Sequence, residues 1–294
     1  MVRSTIILSI SLVFLHTILG QYKFKDEETW KYAYEMIYQA DLGNCDLAYK
    51  MFDTLIIDSN FNHGASYIAF ANCLQKNGQE AEASSFIQKA KEDGILGKTY
   101  SEDSITHPAL RERFLLMYLE DQGSWSLDDN FIIDPDVRKS MSIAGIKFEK
   151  LKPKIRRLPG RELHKLHIKE LDEIISEHGF PNYDMVGYFA MKGISLVILH
   201  SNLETLEKYQ EEFKQYFGMK RMAYLIDKKR VAIKEKQLYG TQGDFDAEGH
   251  LIFYPIEQEY EINTRRRSAG MSPIEIYARR LGVQNYTIPL PEKK

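Results

Sequence analysis

The chain has 294 residues and carries 39 Lys and Arg against 42 Asp and Glu, so its formal net charge is −3. This slightly acidic balance argues against nucleic acid as a partner, since nucleic-acid-binding chains normally carry a surplus of basic residues. A chain of this length exceeds the usual size of one hydrophobic core, so we expect two domains. Its 18 Tyr and 15 Phe can supply a substantial core.

The first twenty residues have the order of a secretory signal peptide. Arg3 precedes an apolar stretch from Ile6 to Leu15, and the segment ends on the small residue Gly20. Because a spanning helix needs roughly 20 apolar residues, a retained membrane anchor is the weaker interpretation. No later segment is long or apolar enough to span a membrane. The sequence therefore predicts a removable signal and an exported protein, periplasmic or extracellular.

The region after the signal has helical periodicity and an internal repeat of about 35 residues, close to a known repeat period. The paired positions are Gly43 and Gly78, Ala48 and Ala83, Phe52 and Ile87, and Tyr32 and Tyr67. A glycine turn followed by a small residue and then a large one resembles the tetratricopeptide repeat. The resemblance implies stacked helical hairpins, which commonly bind a protein or peptide on their concave face. Two degenerate repeats would equally serve as a helical cap.

Cys45 and Cys73 are the two cysteines of the chain. If the hairpins stack, the start of the second helix lies beside the end of the third, which brings these residues near each other. An oxidising compartment permits a disulfide between them. A Cys45–Cys73 disulfide and two free buried cysteines both stay open as alternatives.

The second half of the chain is predicted as helices followed by a β-hairpin. Apolar periodicity indicates helices over 164–178, 183–200, 203–217 and 220–234. Segments 237–242 and 250–256 flank a turn-forming stretch, which predicts the hairpin. Ser272 is placed to cap a final helix that begins with Pro273.

Two blocks in this half carry a resemblance to a known family. They are Leu-Tyr-Gly-Thr-Gln at 238–242 and Arg-Arg-x-x-Gly-x-x-Pro at 266–273. The order of these blocks is similar to that of an uncharacterised bacterial domain family, which has no assigned activity. The resemblance therefore implies a domain without implying its chemistry.

Together these patterns predict a mainly α fold, with a helical-hairpin N-terminal region and a mostly helical C-terminal domain that has one β-hairpin. The predicted divisions are a signal at 1–20, a tetratricopeptide-like region at 21–120, a loop, helix and basic linker at 121–162, the family domain at 163–282 and a tail at 283–294. The linker carries a basic run that we interpret as solvated, consisting of Lys150, Lys152, Lys154, Arg156, Arg157 and Arg161.

Polar residues inside the apolar blocks of the second half are the candidates for chemistry. In the catalytic hypothesis His200 is the general acid or base, Asp227 orients it, and Tyr239 with Arg266 holds an anionic or carbonyl substrate. The other candidates are Gln242 for catalysis, and Thr241 and Arg265 for binding. The competing interpretation is a structural polar network, in which His200 simply suits the negative end of a helix dipole. An enzyme should gather these side chains around one pocket.

No metal or other cofactor is predicted. His164 and His167 share a helical face, but no third ligand is evident, so surface histidines explain them. The acidic stretch 244–249 imitates the start of a calcium loop, yet its twelfth position is Pro255, which favours a charged turn.

The leading functional hypothesis is a binding or interaction protein outside the cytoplasm, with a protein or peptide as the partner of the helical hairpins. The repeat-like region and the lack of a catalytic signature motivate it. The alternative is a hydrolase or transferase that uses the His, Asp, Tyr, Gln and Arg set of the second half.

Overall fold

The structure is a computed structural model of the chain. It describes residues 24–57, 61, 63–93, 105–122, 147–156, 158, 160–247, 249–283 and 286–290. The predicted signal peptide and most of the predicted loop and helix over 121–150 lie outside the described residues. Within the described residues, no helix is both long enough and apolar enough to cross a membrane.

The described residues are mostly helical and contain one antiparallel β-hairpin, which confirms the predicted mainly α class. The helices are α1 (Glu27–Asp41), α2 (Cys45–Ile56), α3 (Gly64–Lys76), α4 (Glu80–Glu92), α5 (Pro108–Gln122), α6 (Phe148–Leu151), α7 (Gly160–His178), α8 (Tyr183–Val186), α9 (Tyr188–Leu199), α10 (Leu203–Lys208), α11 (Gln210–Ala232), α12 (Ile262–Ser268) and α13 (Ile274–Arg280). The strands are β1 (Gly243–Phe245) and β2 (Leu251–Phe253). Short 3-10 turns lie at Lys152–Lys154 and Glu259–Glu261.

The chain divides into two compact units. One contains residues 99–217, and the other combines 15–98 with 218–294. This grouping differs from the predicted divisions, because α5 belongs with the later helices and the C-terminal residues join α1 to α4. Helical periodicity locates each helix, but it carries no information on which distant segments pack together.

The helices α1 to α4 form two hairpins that turn in the same way. Gly43 and Gly78 both take a left-handed φ, of 85° and 78°. After the first glycine, the N–H of Asn44 donates to the carbonyl of Gln39, and the second turn repeats this bond from residue 79 to residue 74. This pattern is the Schellman motif, which favours glycine at the left-handed position. The internal repeat of the sequence therefore corresponds to a repeated local structure.

The repeated small and large residues of these hairpins lie in the core. Ala48 and Ala83 are fully buried, and Phe52 and Ile87 are nearly so. Tyr32 is more than one-third exposed, however, so its pairing with Tyr67 in the sequence does not correspond to equal burial. Membership of the tetratricopeptide family stays a prediction.

Cys45 at the start of α2 and Cys73 near the end of α3 form a disulfide, with their Cα atoms 5.3 Å apart. Both residues are buried. The structure thus contains the bridge that the sequence left open, and it lies where the hairpins stack.

The C-terminal segment of the same unit covers one face of α1. Trp30 donates its indole N–H to the carbonyl of Met271 at 3.1 Å, and the Tyr34 hydroxyl donates to the carbonyl of Gly270 at 3.0 Å. Ile276 of α13 packs into the hydrophobic core of the hairpins. The chain itself therefore occupies this face of α1, which favours the helical-cap interpretation there.

Two local predictions need correction. The strands of the hairpin are Gly243–Phe245 and Leu251–Phe253, so its first strand lies inside the predicted turn, and Gln237 makes only an isolated bridge to Ile256. Ser272 does not cap the last helix. Asn263 takes that role, since its side-chain oxygen accepts a hydrogen bond from the N–H of Ile274 at 2.9 Å.

In the unit of residues 99–217, α5 and α9 lie side by side and run in the same direction. Near the start of α5, the N–H of His107 donates to the carbonyl of Met185. Midway, Gly193 approaches α5 so closely that a Cβ would lie 2.5 Å from the carbonyl oxygen of Phe114. The C-terminal ends of α5 and α9 therefore meet at one end of the unit.

We expect loss of the disulfide to weaken the unit that contains it. In the chain-entropy model, closing a loop of 28 residues contributes about 3.5 kcal/mol to the free energy of unfolding. Denaturant titration of the Cys45→Ser/Cys73→Ser double variant beside the wild type measures this loss. Exported protein that shows no two-dalton mass difference with and without reductant would contradict the bridge.

Candidate functional site

Asp227 on α11 is a buried carboxylate that holds the 238–242 segment. Its oxygens accept hydrogen bonds from the backbone N–H groups of Leu238 at 2.7 Å, Tyr239 at 3.0 Å and Thr241 at 3.0 Å. The Thr241 hydroxyl donates a further bond of 2.8 Å. Multiple donors of this kind satisfy a buried carboxylate. Asp227, with the Thr241 hydroxyl, therefore holds the main chain of residues 238–241 in place.

Gln237 performs a similar task next to the hairpin. Its amide oxygen accepts from the N–H of Gln242 at 2.9 Å, and its amide nitrogen donates to the carbonyls of Gln242 and Tyr254. The side-chain amide of Gln242 donates to the carbonyl and hydroxyl oxygens of its neighbour Thr241. Gln237 is fully buried at the centre of this network, and no pattern in the sequence pointed to it.

The arginines of the second block also donate to backbone carbonyls. Arg266 is buried, donates to the carbonyls of Ser272 and Tyr239, and lies over the Tyr277 ring at 4.7 Å. Arg265 donates to the carbonyl of Leu238 at 2.8 Å. Hydrogen bonds from the arginines of the second block to carbonyls of the first block thus join the two blocks into one network.

Gly240 at the centre of the first block is required by geometry. Its φ is 66°, and a Cβ there would lie 2.9 Å from a methyl of Ile274 and 3.0 Å from a methyl of Ile262. The side chain of Tyr239 packs in an apolar cluster with Ala269, and this burial raises the pKa of the Tyr239 hydroxyl. The set of Asp227, Tyr239, Thr241, Gln242, Arg265 and Arg266 therefore has the bonding of a structural polar network.

His200 belongs to the other unit and has a different partner from the one predicted. It follows the last residue of α9, and its Nδ1 lies 2.6 Å from Oδ1 of Asp121 at the end of α5. The prediction that Asp227 orients His200 is wrong, because the carboxylate that bonds the imidazole is Asp121. His200 lies in one unit and Tyr239, Gln242 and Arg266 lie in the other, so neither unit by itself contains the predicted set.

Asp121, His164 and His200 form the candidate site. His164 on α7 places its Nε2 3.5 Å from Oδ1 of Asp121, and the two imidazole rings are 5.4 Å apart. One ligand atom from each of the three residues lies within 4.8 Å of the other two. Burial, together with the neighbouring His200, lowers the pKa of His164 and so favours the neutral imidazole. Two imidazoles and a carboxylate could hold a metal ion here.

A buried pair lies directly beside this cluster. Glu120, which is fully buried, accepts a 2.7 Å hydrogen bond from Nε2 of His167, itself fully buried. The prediction that His164 and His167 are surface residues is wrong for His167, which is fully buried. Its Nδ1 has no hydrogen-bond partner among the described residues.

Arg156 completes the environment of Glu120. Its backbone N–H donates to Oε1 of Glu120 at 2.7 Å, and its guanidinium donates to Oε2 at 2.8 Å and to Glu170 at 2.7 Å. Burial alone would raise the pKa of Glu120, but the hydrogen bonds from His167 and Arg156 outweigh it and hold that pKa below its usual value. Arg156 is thus a structural ion-pair partner, although the basic run was interpreted as solvated.

Two neighbouring contacts connect α5 and α7: the buried Glu120–His167 hydrogen bond and the partly exposed Asp121–His164 contact. Glu120 and Asp121 are consecutive at the end of α5, and His164 and His167 lie one turn apart on α7. Because Glu120 binds His167, the neighbouring Asp121 and His164 are held at a fixed separation. Consecutive carboxylates at a helix end and histidines three residues apart were the only signals in the sequence, and neither indicates that they meet.

Comparison with known proteins adds no constraint on this site. No protein-family model, no curated protein and no solved structure matches the chain. The resemblance of the second half to an uncharacterised bacterial family therefore stays a prediction. The chemistry of the site has to be inferred from its residues and their geometry.

We expect Asp227→Ala to destabilise its unit by about 3–5 kcal/mol, because it leaves buried backbone N–H groups without an acceptor and removes a negative charge that favours the buried Arg266 guanidinium. Chemical denaturation, followed by circular dichroism, measures the change. Asp53→Ala is the matched control, since Asp53 is exposed on α2. A loss no larger than that of the control would show that the carboxylate does not hold the 238–242 segment.

Proposed function

We propose that this protein is an exported binding protein and that its ligand is a divalent transition-metal ion held by Asp121, His164 and His200. The observation that carries the proposal is the convergence of one carboxylate oxygen and two imidazole nitrogens within 4.8 Å. The signal-like first twenty residues support export, and the Cys45–Cys73 disulfide suits an oxidising compartment.

The distances from Oδ1 of Asp121 to the two imidazole nitrogens are close to what a metal ion requires, and all three ligand atoms lie within 4.8 Å of one another. Metal–ligand bonds of about 2.0–2.2 Å place the ligand atoms of a tetrahedral site about 3.4 Å apart. Oδ1 of Asp121 is 3.5 Å from Nε2 of His164 and 2.6 Å from Nδ1 of His200. The first pair already has this spacing, and the second needs only a small rotation of the imidazole away from the carboxylate.

The ligand types select the class of metal. Imidazole nitrogen suits zinc, copper, iron and nickel, whereas calcium and magnesium prefer sites made of oxygen ligands. A site with two imidazoles and one carboxylate therefore favours a transition metal. We take Zn²⁺ and its spectroscopic substitute Co²⁺ as the ions for the test.

The charge around the site also favours a cation. Asp121 is largely buried, with only 3% of its side chain exposed. The negative charge of the adjacent Glu120 is paired with Arg156, so Asp121 supplies the negative charge of the site itself. A metal ion would replace the His200–Asp121 hydrogen bond and place a positive charge beside the Asp121 carboxylate.

A second candidate function is acid–base catalysis by His200 without a metal, as in the predicted hydrolase or transferase. The 2.6 Å contact between Nδ1 of His200 and Asp121 favours it, because a carboxylate can orient an imidazole whose ring is partly exposed. The two candidates differ in whether the purified protein takes up metal.

A peptide partner for the helical hairpins is a separate proposal with less support. The face of α1 that carries Trp30 and Tyr34 already contacts the C-terminal segment of the chain. Any partner would have to use another face of the hairpins. This occupancy supports the hairpins as a cap on their own unit.

The metal proposal predicts that one Zn²⁺ or Co²⁺ binds per chain and that single removal of His164 or His200 weakens binding more than about 100-fold. Isothermal titration calorimetry of the purified, metal-free protein measures stoichiometry and affinity. His250→Ala is the matched control, because that imidazole is 77% exposed on the hairpin. No uptake, or equal affinity in all three variants, would contradict the proposal.

The buried Glu120–His167 pair beside the site leads to a second prediction. Glu120→Gln keeps the shape of the side chain but removes the charge that fixes His167 and Arg156, so we expect metal affinity to fall by about 10–100-fold with the ligands intact. The matched control is Glu173→Gln, an exposed position on α7. Circular dichroism of the metal-free variants separates this effect from unfolding, and unchanged affinity would show that Glu120 does not position the ligands.

A further inference from the structure

The three proposed ligands are unequally exposed. The carboxylate of Asp121 is almost fully covered, whereas the side chains of His164 and His200 are 35% and 43% exposed. The carboxylate therefore forms the floor of the site and the two imidazoles form its rim. The exposed surface of the three side chains is therefore mostly that of the two imidazoles.

The neighbouring Glu120 and the Nε2 of His167 are committed to each other, and His167 is not one of the residues whose ligand atoms lie within 4.8 Å of one another. Both oxygens of Glu120 accept hydrogen bonds from Arg156, and one also accepts from His167. Nε2 of His167 is used in that bond. Within the part of the chain that the structure describes, Asp121, His164 and His200 are the only such cluster of His, Cys, Asp and Glu ligand atoms.

We infer that the metal ion bound by Asp121, His164 and His200 keeps an exchangeable coordination position on its solvent side, and that this position takes water or a small anion. The inference rests on the proposed function and names the second ligand of the same site. Three protein ligands with a remaining position for water or substrate is the arrangement of catalytic zinc sites, whereas structural zinc sites are closed by four protein ligands.

Charge determines which ligand the open position prefers. A divalent ion that is bound by one carboxylate and two neutral imidazoles retains a net charge of about +1 in the ligand shell. An anion in the remaining position neutralises this charge, so azide, acetate or inorganic phosphate should compete with water.

The test uses the full chain loaded with one Co²⁺, whose visible absorption depends on the number and type of its ligands. Azide, acetate and inorganic phosphate are titrated in separate arms against the loaded protein. We expect at least azide to change the spectrum along a saturable curve that fits one anion per metal ion. Free Co²⁺ in the same buffer, and the loaded His250→Ala protein, are the controls.

The possible results separate the two proposals. If Co²⁺ does not bind, the proposed function fails and the inference fails with it. If Co²⁺ binds but none of the three anions changes its spectrum, the coordination is closed and only the inference is overturned. X-ray absorption of the Zn²⁺ protein provides a second measurement, because a fourth nitrogen or sulfur ligand from the protein would also overturn the open position.

Discussion

The buried carboxylate of Glu120 is the constraint on which the candidate site depends. An ionised carboxylate away from water costs several kcal/mol unless its oxygens are hydrogen-bonded and its charge is compensated. Glu120 meets both conditions through His167 and through the main chain and guanidinium of Arg156. Because these partners come from α7 and from the segment before it, one side chain fixes three parts of the unit at the end of α5.

The other unit uses a buried carboxylate in the same way but with a different result. Asp227 bonds to three backbone N–H groups and one hydroxyl, all within four residues of the chain. All of these donors belong to the segment before the β-hairpin, so Asp227 stabilises that segment alone. At Glu120 the network joins separate helices, and it leaves the adjacent Asp121 facing two imidazoles. Only the second arrangement places a carboxylate beside two imidazoles.

The polar residues of the two sequence blocks were candidates for catalysis because they interrupt apolar segments. The structure gives a different reason for them. A buried turn needs donors and acceptors for its main chain, and Asp227, Gln237 and Arg266 supply them. The His200 prediction was closer, since this residue does bond a carboxylate, but the partner is Asp121 and no pattern in the sequence connects them.

The sequence by itself determined the local structure of this protein. Helical periodicity located most of the helices, Gly43 and Gly78 marked the ends of α1 and α3, Gly218 marked the kink inside α11, and the turn-forming stretch predicted a hairpin. Each of these signals acts over a few neighbouring residues. Only the tertiary structure decided the composition of the two units and of the site. His200 meets Asp121 across 79 residues and His167 meets Glu120 across 47. Such pairs form when helices pack, and packing depends on shape and burial along the whole chain, which no local pattern encodes.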